Sequence, residues 1–140
     1  MIQTWPSVLP RPERSSWQRS SQEARRKTQP DNGPPRYRRR FSSAARLVTM
    51  SLILDRNERA IFDRFFAEDC AEGASLFYMP DPTTDGWPLL TASGLPMLNG
   101  ADEPVLLAAR WLCAWGDELP VETISGQVEF KKTFSIVVLP

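Results

Sequence analysis

The chain has 140 residues with 17 Lys plus Arg, 17 Asp plus Glu and no His, a formal net charge of zero. A length of this order suits one domain. Without His there is no Ser-His-Asp triad, no His general base and no His-ligated zinc, and two cysteines are too few for a disulfide framework or a Cys-only metal site.

The zero conceals a split. Residues 1–46 carry eleven Lys/Arg against three Asp/Glu, a net of +8, and residues 47–140 carry six against fourteen, a net of −8. Cys70 and Cys113 stand alone in apolar segments, where cysteine acts as a small buried hydrophobe. No apolar run approaches the ~20 residues of a membrane span. The first residues lack an apolar stretch ahead of a small-residue cleavage site, so the sequence predicts synthesis in the cytosol without a membrane anchor.

Residues 1–45 contain six prolines, many Ser and Gln, and few aliphatics. Such a segment buries too little apolar surface to offset its ordering entropy, which predicts an extended basic N-terminal arm. Trp5 and Trp17 are large apolar groups that a mere solvated tail lacks, and Pro6, Pro10 and Pro12 stiffen the path. The arm is either flexible and solvated or ordered against a neighbouring subunit.

The domain then spans 46–140. In LVTMSLIL, Val48, Met50, Leu52 and Leu54 alternate with polar positions, the period of a half-buried strand. Asp55 and Glu58 form a capping box at the start of a helix over about 56–72, and Ile61, Phe62, Phe65, Phe66 and Cys70 give it one apolar stripe. Gly73 suits a left-handed cap. Leu76 to Met79 reads as a short strand stopped by Pro80.

Pro88, Pro96 and Pro104 follow at a spacing of eight, each leading two or three apolar residues. This small internal repeat predicts a hairpin-like excursion over about 85–107. It covers the domain's own core or contacts a neighbour. Next come a Trp-bearing strand ending at Trp115, a short strand from Val121 to Ile124 and a long final strand over 127–138. In the last, Val128, Phe130, Phe134, Ile136 and Val138 share a face that Lys132 interrupts at a rim. The pattern predicts an α+β, mainly β fold: an antiparallel β-sandwich with one helix packed across it.

Catalytic vocabulary is sparse. The carboxylate pairs Asp81/Asp85 and Asp117/Glu118 lie beside turn-forming residues, where Asp bonds its own backbone or faces water. Asp81, Thr83 and Asp85 loosely resemble calcium ligands, but the closing acidic residue is missing. There is no phosphate loop, GxSxG elbow or HExxH motif. Hence the expectation is no enzyme, no cofactor and no metal. Arg36-Tyr37-Arg38-Arg39-Arg40-Phe41 is a basic run with interleaved aromatics. It could bind nucleic acid, or dock on an acidic surface of the same or a neighbouring subunit.

The order of segments is RYRRRF, VTMSLIL, DRNERAIFDRFFAEDCAEG, SLFYMPDP, AARWLCAW and VEFKKTFSIVVLP. It resembles small tail proteins of long-tailed bacteriophages and prophages, in particular the M-type minor tail (distal tail) protein family of lambda-like phages. The opening TWPSVLPRP is similar to the start of related tail proteins. The longer N-terminal arm and the Pro-spaced excursion depart from the pattern.

The resemblance implies a structural virion protein with a β-sandwich of the tail-tube type. It would assemble in the host cytoplasm as a ring, a hexamer in the family, that joins the tail tube to the baseplate hub. Its partners would be its own copies, the tube protein and tip proteins, with DNA passing through the lumen without specific binding. The residues expected at subunit contacts are Trp5, Pro6, Trp17, Arg36, Tyr37, Arg38, Arg39, Arg40, Trp87, Leu89, Leu95 and Met97.

Overall fold

The computed structural model describes residues 2–140. Its centre is a long antiparallel pair. Strand β5 (Arg46–Leu54) lies along β9 (Glu129–Val138), in register from Arg46 opposite Val138 to Leu54 opposite Phe130. The period of two puts Val48, Met50, Leu52, Leu54, Phe134, Ile136 and Val138 on one face, all buried. The other edge of β9 is shared. Strand β7 (Arg110–Trp115) takes its C-terminal end and β8 (Val121–Ser125) its N-terminal end.

Strand β6 (Phe77–Pro80) extends the sheet beyond β7, and the short β1 (Gln3–Thr4) pairs with β6 in parallel. Beyond β5 the sheet ends at β2 (Gln18–Ser21). Among the described residues the result is a mainly β fold with a mixed seven-stranded sheet, a single helix and a separate two-stranded ribbon of β3 (Arg25–Thr28) and β4 (Arg36–Arg39).

Helix α1 (Arg56–Arg64) starts at the expected capping box. The Glu58 N–H donates to Asp55 Oδ1 at 2.8 Å and the Asp55 N–H donates to Glu58 Oε1 at 3.2 Å. The α geometry stops sooner than the sequence predicts and continues as one π-helical turn, Phe65–Asp69. There the Cys70 N–H donates to the Phe65 carbonyl. The wider turn lets Phe65 and Cys70 both point into the core while Phe66 meets Trp115 edge-on at 5.0 Å. The chain then leaves through Ala71, Glu72 and Gly73, all at positive φ. Val128, expected on the inner face of the last strand, is exposed, because the strand begins only at Glu129.

The expected boundary at residue 45 does not separate an arm from a body. The Trp5 N–H donates to the Tyr78 carbonyl at 2.7 Å, and the Trp5 ring lies 5.5–6.0 Å from those of Phe62, Phe65, Phe77 and Phe134. Leu9 joins the same core. Farther on, the Glu13 N–H donates to the Ser51 carbonyl, and Ser16 pairs with the buried Ser51 hydroxyl on the opposite face of β5. Residues 2–22 thus wrap the sheet and close it at both edges. An aromatic cluster of this size offsets the ordering entropy that composition alone leaves unopposed.

The Pro-spaced segment is not a hairpin. Its three repeats, Pro88-Leu89-Leu90, Pro96-Met97-Leu98 and Pro104-Val105-Leu106, close into a ring. The Leu89 N–H donates to Val105, Val105 to Met97, and Met97 back to Leu89, each at 2.8–2.9 Å. A second cycle of bonds runs from Thr91 to Leu95, Asn99 to Glu103 and Leu107 to Trp87. Bridges pair each Pro with a Leu of another repeat. Gly86, Gly94 and Asp102 hold the equivalent turn positions, all at positive φ. Proline, lacking an N–H, opens each repeat where no donor is used. The product is a knob of pseudo-threefold symmetry.

Candidate assembly surface

The β3–β4 ribbon is where the positive charge collects. Its register sets Arg25 opposite Arg39, Arg26 opposite Arg38, Lys27 opposite Tyr37 and Thr28 opposite Arg36. Every residue of both strands is exposed. The connecting segment, Gln29-Pro30-Asp31-Asn32-Gly33-Pro34-Pro35, carries turn residues throughout, with Gly33 at φ +112°.

Directly opposed residues share a face, so the two faces differ. On one, Arg25 stacks over Tyr37 at 4.4 Å and grips both carboxylate oxygens of Glu23 at 2.8 and 2.9 Å. That guanidinium draws the Glu23 carboxyl down to about 2. The other face carries Arg26, Arg36, Arg38 and, one residue past the strand, Arg40. Among the described residues none of these four guanidinium groups has an ion-pair or side-chain hydrogen-bond partner. Like charges directly across a ribbon destabilise it, and a two-stranded ribbon is marginal alone. The arginine face thus keeps four cations without a counter-charge among the described residues.

The expected contact residues fall into three groups. Arg36, Tyr37, Arg38, Arg39 and Arg40 lie on this exposed ribbon. Trp87, Leu89, Leu95 and Met97 lie exposed on the knob. Trp5 belongs to the core instead, and Pro6 and Trp17 are half-buried beside it, because the N-terminal segment packs on its own sheet. Arg25, Arg26 and Lys27, which are not among the expected contact residues, complete the ribbon. The turn-rich QPDNGPP between two basic runs was the signal for it. On the knob, Leu90, Leu98 and Leu106 are 55%, 56% and 58% exposed, so three equivalent leucines stand equally bare about the pseudo-threefold axis.

The Asp81/Asp85 pair is structural in its contacts. Asp81 accepts from the Thr83 N–H and hydroxyl and from the Thr84 hydroxyl at 2.6–2.8 Å, and Asp85 accepts from the Ala109 N–H at 2.9 Å. Burial pushes the Asp81 carboxyl up, but these hydrogen bonds outweigh it and hold it below the usual range. Together they pin the base of the knob. Asp117 and Glu118 instead line an open groove of about 240 Å³ on the outer sheet face, with Ser20, Leu47, Thr49 and Val137. Neither carboxylate has an ion-pair partner among the described residues.

Lys132, expected at a rim, is buried. Its ammonium lies 2.8 Å from Asp63 and 3.3 Å from Glu122, above the Phe62 ring. Among the described residues no group of three or more His, Cys, Asp or Glu could hold a metal ion, and no helix is long and apolar enough to cross a membrane. No family model matches the chain, and no curated protein matches it.

Proposed function

We propose that this chain is a structural tail-tip (distal tail) protein of a long-tailed phage or prophage, with its mixed sheet related to the β-sandwich of tail-tube proteins. It assembles as a ring, a hexamer by the resemblance, between the tail tube and the baseplate hub. The observation that carries the reading is the arginine face of the β3–β4 ribbon. It projects, without a partner of its own, from a chain whose remaining residues are net acidic. A closed ring needs two different surfaces per subunit, meeting head to tail. A cationic ribbon and an acidic body supply such a pair. Native mass spectrometry of the purified protein and electron microscopy of tails test it. A ring at the tail tip is the expected result, and a strictly monomeric protein absent from virions overturns it.

The same ribbon favours one second reading, a small nucleic-acid-binding protein that uses phosphate contacts from arginine and stacking on the exposed Tyr37 and Phe41. It predicts steeply salt-dependent binding that is lost on removing residues 25–40. The acidic body weighs against it.

A further inference from the structure

We propose that the arginine face of one copy docks in the Asp117/Glu118 groove of a second copy. The inference rests on the assembly reading above and is independent of its phage setting. Three observations converge on it.

First, the four guanidinium groups of Arg26, Arg36, Arg38 and Arg40 share a face and lack partners, whereas Arg25 on the opposite face is already paired with Glu23. The larger unpaired charge therefore lies on this face, four guanidinium groups against Lys27 and Arg39 on the other. Second, the groove combines two unpaired carboxylates with exposed Leu47, which suits the exposed ring of Phe41 at the ribbon's root. Third, the same copy's ribbon leaves the groove open: none of residues 25–40 lines it. The groove contains Ser20 and Leu47, and the ribbon leaves the sheet just beyond, where the Gln22 N–H meets the Ala45 carbonyl.

A second copy presents the complementary sign at a mapped place, and the full chain is neutral. Each docking event therefore cancels charge on both partners. Exposed ion pairs of this kind add modest affinity but fix register and partner choice. The contact joins unlike surfaces, so it repeats from copy to copy and closes a ring when its rotation allows.

The test is a charge exchange in the full-length chain. One variant carries Arg36→Glu and Arg38→Glu, the other Asp117→Arg and Glu118→Arg. All four positions are exposed, and thermal melting of each variant checks that the fold is kept. Sedimentation at ~50 mM and ~500 mM salt follows association. Wild type is expected to associate and to weaken at the higher salt, as exposed charge pairs do. Each variant alone is expected to self-associate at least about tenfold more weakly, since the groove variant opposes like charges and the ribbon variant leaves its face with no net charge. An equimolar mixture restores assembly, because the introduced carboxylates again face the introduced guanidinium groups and the native ribbon again faces a native groove. A monomeric wild type, a groove variant that assembles like wild type, or a mixture that stays dissociated overturns the proposal. So does duplex DNA binding that follows the ribbon charges while association does not. If charge exchange works but the protein is missing from tails, the docking stands and the phage reading falls.

Discussion

Trp5 joins the N-terminal segment to the helix and the sheet at once. Its ring touches two aromatic residues of the helical segment and one each from β6 and β9. Truncation to Ala leaves a cavity that the four surrounding elements cannot all close, and buried Trp→Ala changes cost about 3–5 kcal/mol. Urea unfolding of Trp5→Ala is expected to show a loss of that order, whereas a contact residue at the surface would leave stability near wild type. Glu122 gives a pH-dependent counterpart. The hydrogen bond from Arg59 comes first in holding its carboxyl below the ordinary value; burial opposes, and Lys132 adds to the lowering. A depressed folded pKa contributes stability that is present above the unfolded value, about 4.3, and is lost as pH falls through the folded value. Glu122→Gln should therefore lower stability at pH 7, where the contribution is fully present, change it least once pH has fallen through the folded value, and so flatten the acid limb below about pH 4.5, measured by denaturation midpoints across pH. Burial likewise pushes the Cys113 thiol up to about 12, so thiol reagents at pH 8 should label it only after unfolding.

At the scale of elements, legibility follows the source of each element's stability. Strands β5 and β9 and the start of α1 were readable because each buries one face or carries its own cap, and a period or a capping box records that locally. Strand β2 has all four residues exposed and exists through its ladder to β5, so no period in QRSS announces it. The π-helical turn is likewise set by what Phe65 and Cys70 pack against, not by their spacing. The knob was half legible. Its repeat of eight is plain in the sequence, but ring closure depends on hydrogen bonds between repeats. Its weak point is one residue. Asp102 occupies the turn position that Gly86 and Gly94 fill, at φ +58°. A side chain there is strained, and relief by glycine is worth about 1 kcal/mol at left-handed positions. Asp102→Gly should raise the stability of the knob, and Gly94→Ala, at φ +85°, should lower it by about as much. Hydrogen exchange at the Met97 and Val105 amides, which close the ring, reads both effects directly.

For the whole molecule, the division that matters runs through the N-terminal third and not at its end. Composition groups residues 1–45 as one basic, Pro-rich arm, because charge and proline content carry no record of tertiary pairing. In the fold, residues 2–22 are structural while residues 25–40 touch the sheet only through their root. Two deletions separate these roles. Removing residues 2–9 strips Trp5 and Leu9 from the core and β1 from its edge, which is expected to unfold the protein or leave it molten at 25 °C, seen as lost near-ultraviolet dichroism. Replacing residues 25–40 with a two-residue turn removes seven Lys/Arg and one Asp but no buried side chain. Its melting temperature should stay within a few degrees of wild type, or rise, since the opposed pairs Arg25–Arg39 and Arg26–Arg38 are gone. Self-association should vanish with it. If instead the ribbon deletion unfolds the chain, the ribbon is part of the body, and the acidic surface must find its partner elsewhere.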